Sequence, residues 1–223
     1  MLEPPHDELS LFPLRTVLFP GMPLPLHIFE ERYKCMIEDC VQQSKPFGVV
    51  LIQRGREVGG EAEPFPVGTS AVITKVTRLR ENRLNILTVG YQRFRILSLL
   101  RDRPFLRGVI QILPPVQDEA TKAYHLAKAV SQRLPAYVDL LAKMAKSELE
   151  LSPLPEKPAL LAFLTAILLQ IRPVDKQALL AAETIPDMLA LELCYLAREQ
   201  RLLRAHIGIE YDLAEGAVPF SEN

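Results

Sequence analysis

The sequence contains no tryptophan and only three cysteines, Cys35, Cys40 and Cys194. No Cys-x-x-Cys pair occurs and the spacing is irregular, which argues against a disulfide framework or a zinc site. Cys35 and Cys40 are five residues apart on a predicted helix, so their thiols point in different directions and are poor joint metal ligands. We therefore expect reduced thiols, and neither a metal nor a cofactor.

Long hydrophobic runs are also missing. The uncharged run from Pro158 to Ile171 is shorter than the roughly 20 apolar residues that cross a bilayer, so a buried helix explains it better. The segment from Met1 to Ser10 carries acidic residues and two prolines, unlike the basic start of a secretory signal. These features predict a cytoplasmic protein without a membrane partner.

The common catalytic signatures are absent as well. None of the ten glycines precedes a lysine, which excludes a P-loop, and no two glycines lie two apart as in a dinucleotide fingerprint. Gly-x-Ser-x-Gly, His-Glu-x-x-His and Ser-x-x-Lys do not occur either. The sequence therefore predicts a protein without an enzymatic activity and without catalytic residues.

The sequence has the composition of a globular protein and two kinds of hydrophobic pattern, one in each half. The chain has 223 residues, 48% of them hydrophobic, and a net charge of −1. Its first half has short apolar runs separated by glycine and proline, which favour strands, and a polar link over residues 79–83 that predicts a hairpin. The predicted strands are Phe47 to Gln53, Val67 to Thr77, Leu84 to Val89, Gln92 to Leu99 and Phe105 to Leu113.

Helical periodicity dominates the second half. One helix is predicted earlier in the chain, from Ile28 to Gln43. After Pro114 and Pro115, which disfavour continued strand pairing, apolar residues recur every three or four positions, with Pro135 expected to kink or break the first helix. Further helices are predicted at Ala159 to Ile171, Asp175 to Ala182 and Pro186 to about His206.

These patterns predict an α+β fold with an internal boundary at the two prolines. We expect a strand-rich subdomain over residues 1–115, a helical bundle over residues 116–210 and a carboxyl-terminal tail over residues 211–223. Thr184 and Asp187 stand three apart and resemble a capping box at the start of the last helix.

Several blocks of the sequence resemble a known family. The opening LFPLRTVLFPGMPLPLHIFEERY, from Leu11 to Tyr33, looks like the start of the amino-terminal domain of Lon proteases. PFGVVLI, GREVGG, VGTSAVITKV and GYQRFRIL resemble later blocks of that domain in the same order, and PVDKQALLAAET resembles part of its helical region. The resemblance covers most of the chain.

The resemblance implies a PUA-like β pseudo-barrel followed by a small helical bundle. It also implies a substrate-binding role without the ATPase and peptidase domains of the full-length proteases, as in a stand-alone amino-terminal domain. The expected partner is an unfolded or extended polypeptide, with a protease or chaperone as a further candidate.

We expect peptide binding in a groove between barrel and bundle or on an exposed apolar patch of the barrel. The Phe-Pro-Gly-Met segment is explained most simply by backbone geometry, yet Met22 and Leu24 could project from it into a hydrophobic surface. Together with Phe65 they are the predicted peptide-binding residues.

Charge distribution supports an alternative. Residues 71–113 hold nine Lys or Arg against Glu81 and Asp102, a local net charge of +7, while the rest of the chain sums to −8. A basic sheet face would attract phosphate, and PUA-like folds also occur in RNA-associated proteins, so RNA binding is the second hypothesis. A solvated or ion-paired face is the simpler reading of the same pattern. The candidate basic patch comprises Lys75, Arg78, Arg80, Arg83, Arg93, Arg95 and Arg107.

Overall fold

The computed structural model describes residues 7–57, 62–113, 120–147 and 152–214. Backbone contacts divide the chain into two compact units. The first unit contains residues 1–117 and 172–182, and the second contains residues 118–171 and 183–223. The predicted boundary at Pro114 and Pro115, the last residues of the GREVGG block and the end of the predicted tail lie outside the described residues.

Within the described residues, seven strands and two α-helices build the first unit. The elements are β1 (Asp7–Leu14), β2 (Pro23–Ile28), α1 (Glu31–Gln43), β3 (Phe47–Gly55), β4 (Ala62–Pro64), β5 (Val67–Arg78), β6 (Leu84–Leu100) and β7 (Arg107–Ile112), with α4 (Pro173–Leu180) from later in the chain. Strands β1, β7, β6, β5 and β3 pair in that order and β3 also pairs with β1, so these five strands close into a barrel, while β4 pairs with β3 and β2 pairs with β6. The β1–β3 pair is parallel and the other pairs are antiparallel.

Buried aromatic side chains lie within a mainly aliphatic barrel core. Phe12 stacks on Tyr33 of α1 with ring centroids 4.1 Å apart, so the helix closes over one end of the core. Phe94 is fully buried in a second cluster, and a Cβ atom at Gly48 or Gly68 would lie 2.7 Å from its ring. These two positions therefore have to be glycine for Phe94 to reach the barrel interior.

The hairpin prediction is confirmed, and two predicted strands prove to be one. Val72 pairs with Val89 and Val76 with Ile86, and Asn82 adopts a positive φ of 55° in the turn. Strand β6 runs without a break through Gly90, where two separate strands were predicted. The predicted helix start at Ile28 was too early, because Ile28 is the last residue of β2.

The described part of the second unit contains three helices: α2 (Ala120–Ala145), α3 (Pro158–Leu168) and α5 (Ile185–Ala214). Pro135 lies inside α2 without ending it, and α5 continues past the predicted end at about His206. The Tyr137 hydroxyl, fully buried, accepts a hydrogen bond from the Gln170 amide at 2.8 Å.

Side-chain capping starts α5 as predicted. The Thr184 hydroxyl accepts a hydrogen bond from the Asp187 amide at 3.2 Å and donates to the Asp187 carboxylate at 2.6 Å. This arrangement satisfies one of the amides that have no partner within the helix.

Helix α4 belongs to the first unit although it lies between two helices of the second in sequence. The Gln177 side-chain amide donates to the Val67 carbonyl at 2.9 Å, and Gln177, Leu179 and Leu180 are buried. The α+β fold class is confirmed. No helix within the described ranges is long and apolar enough to cross a bilayer.

Candidate polypeptide-binding surface

The Phe19-Pro20-Gly21-Met22 segment forms a tight turn. The Met22 amide donates to the Phe19 carbonyl at 3.0 Å, and Gly21 has a φ of 80°. Proline at the second position and a positive φ at the third are the features of a type II turn. The turn feeds directly into β2.

Gly90 of β6 receives this turn. The Gly21 amide donates to the Gly90 carbonyl at 2.8 Å, and the Gly90 amide donates to the Met22 carbonyl at 3.0 Å. A Cβ atom at position 90 would lie 2.2 Å from the Phe19 carbonyl oxygen, well inside the van der Waals contact distance of the two atoms. The role of the Phe-Pro-Gly-Met segment is therefore to seat β2 against β6.

The structure separates the three predicted peptide-binding residues. Leu24 points inward and is 9% exposed, within the main barrel core. Met22 is half-buried and packs against the same core. Phe65 is half-buried between β4 and β5, where its amide donates to the Leu51 carbonyl at 2.8 Å. The prediction required Leu24 on the solvent-exposed face of β2, whereas Leu24 lies on the face that is buried in the core.

The opposite face of the same strands carries an apolar surface. Pro23 lies beside Val89, which pairs in turn with Val72 of β5, and Pro25 lies beside Leu87. Inward residues such as Leu24, Ile86 and Thr88 alternate with them and are buried. The period of two in β2 and β6 was the signal that could have located this surface. We define the outer apolar face as Pro23, Pro25, Val72, Leu87 and Val89.

A polar pair borders the outer apolar face. His27 Nδ1 and Asn85 Oδ1 are 2.6 Å apart across β2 and β6, and the Phe29 ring stacks on the His27 ring at 6.1 Å. Phe29 is 49% exposed. The next row of the sheet therefore changes from apolar to polar, which gives the outer apolar face a defined end.

Arg93 does not belong to a basic surface. It is 7% exposed, and its guanidinium donates to the carbonyls of Leu180 and Ala182, each at 2.8 Å. These carbonyls lie at the end of α4, where backbone acceptors lack helical partners. Burial lowers the pKa of Arg93. The pattern of alternating bases could not reveal that α4 covers this position.

Acidic neighbours neutralise three more members of the predicted patch. Arg78 pairs with Glu38 at 3.3 Å and Arg83 with Glu81 at 2.5 Å. Arg107 pairs with Asp102 at 2.7 Å and also with Glu8. Lys75, Arg80 and Arg95 are exposed and form no ion pair with a described residue. The structure does not bring the seven bases together as one free cationic face.

A cleft of the first unit has a volume of about 640 Å³. Its walls mix charges of both signs, including Asp7, Asp39 and Arg103, with the exposed Tyr91 ring. Within the described parts of the chain, no three His, Cys, Asp or Glu side chains are placed to hold a metal ion. The outer apolar face is the more uniform surface.

Two solved structures share this fold. The Lon N-terminal domain protein from Xanthomonas campestris aligns over 84% of this chain and 98% of its own, with a TM-score of 0.62 and 24% identity. The N-terminal domain of Mycobacterium avium complex Lon protease aligns over 86% of this chain and 98% of its own, with a TM-score of 0.66 and 14% identity. The fold is thus that of Lon amino-terminal domains.

Sequence comparison is more specific. The Lon protease of Anaeromyxobacter dehalogenans is 28% identical over 204 residues, and Lon protease 2 of Myxococcus xanthus is 27% identical over 199 residues. Each match covers 88% of this chain and 24% of the relative, so the chain spans about a quarter of the length of these curated relatives. The family profile described as the ATP-dependent protease La (LON) substrate-binding domain matches residues 8–198. The chain belongs to this family.

Proposed function

We propose that this protein is a non-catalytic module that recognises unfolded or extended polypeptide segments. Membership of a family of substrate-binding domains supports this role. The observation that carries it is the outer apolar face, where Val72 and Leu87 are 42% and 38% exposed on adjacent strands. Contiguous exposed apolar side chains on a soluble fold mark an interaction site. In this role the module delivers bound chains to a protease or chaperone.

Binding energy on this surface comes from apolar burial. Full burial of an exposed Val or Leu side chain contributes about 1.5 to 3 kcal/mol, and covering the exposed part of Val72 and Leu87 contributes a corresponding fraction before the cost of ordering the partner. A disordered partner loses conformational entropy on binding, so the net affinity is moderate. Moderate affinity suits a module that has to release what it binds.

A permanently unfolded chain tests the proposal. Binding of fluorescent, reduced and carboxymethylated α-lactalbumin is followed by anisotropy for the wild type and for the double variant Val72→Asp, Leu87→Asp. We expect the double variant to bind about tenfold more weakly or worse, since both side chains lose their apolar contact. Leu97→Asp is the matched control, because Leu97 is 45% exposed on the same strand outside the outer apolar face.

A neutral unfolded probe is measured in parallel, because acidic substitutions also repel the anionic α-lactalbumin. The proposal fails if neither probe binds the wild type, or if Leu97→Asp weakens binding of the neutral probe as much as the double variant does. Thermal unfolding of each variant checks that the fold is intact.

The RNA-binding hypothesis makes a different prediction. Phosphate contacts give an affinity that falls steeply with added salt, whereas an apolar surface is much less sensitive. Lys75, Arg80 and Arg95 are the bases available for such contacts. A single-stranded RNA oligonucleotide bound with a steep salt dependence, and lost on Arg80→Glu together with Arg95→Glu, would favour this alternative.

A further inference from the structure

Strand β5 has a free edge. It pairs with β3 only where Phe47 to Val49 face Thr69 to Ala71, and with β6 along its other side up to Arg78. From Val72 to Arg78 no described strand occupies the edge that β3 leaves. Unpaired strand edges are templates for a further strand.

The alternating direction of the backbone amides and carbonyls along β5 identifies the groups that point out of this edge. The Leu79 amide donates to the carbonyl of Arg83, the residue directly before β6, at 2.8 Å. The Leu79 backbone groups therefore point toward β6. Alternate residues share the same direction, so Thr77 bonds toward β6 while Val76 and Arg78 point their amides and carbonyls away from it. The free edge therefore offers donors and acceptors at Val76 and Arg78.

The opposite free edge, on β2, is blocked. The Gly90 amide donates to the Met22 carbonyl at 3.0 Å, so Met22, Leu24 and Leu26 bond toward β6 and the residues between them point outward. Two of those outward residues are Pro23 and Pro25, which have no N–H to donate. Among these outward residues of β2 only His27 has an N–H, so β5 is the better edge for an added strand.

A groove runs along the β5 edge. A cleft of about 300 Å³ separates the end of α1 from β5, with Val41 and Pro46 on one wall and Val72 and Val76 on the other. Val41 is 43% exposed, and Ile73 and Val76 pack partly against the barrel core. A smaller cleft continues from Val76 to Arg78 beside Ile37 of α1. The inner side of a strand placed here would contact apolar side chains.

Charge defines the outer side of the groove. Lys45 lies at the end of α1 and Lys75 lies on β5, both exposed and both without an acidic partner among the described residues. The Arg78–Glu38 pair, at 3.3 Å, neutralises the far end. The groove therefore carries two uncompensated positive charges that complement acidic side chains.

We propose that the β5 edge binds an extended polypeptide segment, with apolar residues alternating with acidic ones, as an added β-strand. The segment's apolar side chains contact Val41 and Val76, its acidic side chains lie between Lys45 and Lys75, and its backbone bonds to Val76 and Arg78. This mode of recognition takes affinity from the main chain and selectivity from alternate side chains. It rests on the proposed polypeptide-recognition function and specifies its ligand.

An eight-residue peptide alternating valine and aspartate is the probe. Amide hydrogen exchange of the isotope-labelled full chain is measured by NMR with and without it. With the peptide at about ten times its Kd, we expect exchange at Val76 and Arg78 to slow about tenfold, because bound protein is closed to exchange there. Thr77, already bonded to β6, and His27 on the β2 edge are internal controls and should change little.

Two changes separate main-chain from side-chain recognition. N-methylation of alternate peptide amides removes the donors for β5 and should weaken binding about tenfold. Lys75→Glu should weaken the aspartate peptide several-fold and favour a lysine-bearing version of it, since the local charge reverses. Arg95→Glu, at an exposed base away from the groove, is the matched control.

Equal binding of the methylated and parent peptides, with unchanged exchange at Val76 and Arg78, would overturn the added-strand mode. If unfolded α-lactalbumin still bound and still depended on Val72 and Leu87, the proposed function would stand without it. Failure of both probes to bind would remove the function and the mode together.

Discussion

The two units differ in whether their most deeply buried polar side chains are paired, although Gln177 Oε1 in the first unit also has no partner among the described residues. In the first unit the Thr69 hydroxyl donates to the Leu18 carbonyl at 2.6 Å, the Thr88 hydroxyl donates to the Leu24 carbonyl at 2.9 Å, and Arg93 donates to two carbonyls. In the second unit Glu192 and Thr165 are fully buried, yet both carboxyl oxygens and the hydroxyl have no hydrogen-bond partner within the part of the chain that the structure describes.

The difference follows from how each unit satisfies its backbone. Helices form their hydrogen bonds locally, so the second unit can be held together by side-chain packing alone. In a barrel, a tight turn and a register shift leave some backbone groups without a partner strand, and specific side chains have to form their hydrogen bonds. Where two backbone segments approach closely, only glycine fits. A single added or removed atom at a few positions of the first unit should therefore lower its free energy of unfolding. Removal of the buried acid should raise the free energy of unfolding of the second unit.

Two glycines provide the largest test of this comparison. Gly90→Ala in the first unit should destabilise the protein by about 3 kcal/mol or more, because the new methyl group collides with backbone at Phe19. Gly208→Ala in α5 of the second unit meets no atom within 4 Å and should stabilise by about 0.5 to 1 kcal/mol through helix propensity. Urea denaturation measures both. A tolerated Gly90→Ala would contradict the close approach of the turn.

Two arginines on β6 provide the next test. Arg93→Met should cost about 3 kcal/mol, since one buried and one partly buried carbonyl at the end of α4 lose their donor. Arg95→Met, two residues away and exposed, should leave the urea midpoint almost unchanged. Equal midpoints for the two variants would show that solvent replaces the Arg93 guanidinium, and the contrast in buried polar groups would weaken.

Glu192 gives the comparison a pH dependence. Burial raises the pKa of Glu192 well above the ordinary value of 4.5. Below that value the carboxyl is protonated in the folded and the unfolded chain alike. Above it the unfolded chain loses the proton first, so the free energy of unfolding falls by about 1.4 kcal/mol per pH unit until the folded pKa is passed.

Glu192→Gln removes this ionisation. The difference in unfolding free energy between variant and wild type should therefore grow as the pH rises above 4.5. Glu183→Gln, at an exposed position, controls for the loss of one negative charge. Parallel stability profiles for wild type and Glu192→Gln from pH 5 to pH 8 would mean that the carboxyl gains a partner on ionisation.

Thiol labelling provides the smallest test and reports on each unit separately. Burial, with Asp39 adding to it, raises the pKa of Cys40 in the first unit to about 11, whereas Cys194 in the second unit and Cys35 are exposed. In a Cys35→Ser background, Cys194 should react with iodoacetamide in the native protein while Cys40 reacts only on unfolding. Rapid native labelling of Cys40 would show that α1 opens locally.

Patterns local in sequence were the predictable part of the fold. The β5–β6 hairpin and the amino-terminal cap of α5 each depend on residues a few positions apart. Asn82 adopts the positive φ of the turn, and the Thr184 hydroxyl accepts the hydrogen bond of the cap, as their side chains favour. Leu24 and Arg93 were misplaced because each lies on an alternating strand whose inward side depends on what packs against it. A period of two identifies two faces and does not state which one is buried.

The sequence by itself determined the α+β class, the order of most elements and the absence of the common hydrolase signatures, because these follow from local periodicity and short motifs. It also carried the resemblance to the Lon family. Only the tertiary structure decided that α4 packs with the barrel, that Arg93 is buried beneath its end and that β5 rather than β2 has an edge rich in donors. Each of those outcomes joins residues distant in the chain, and such contacts exist only once the chain has folded.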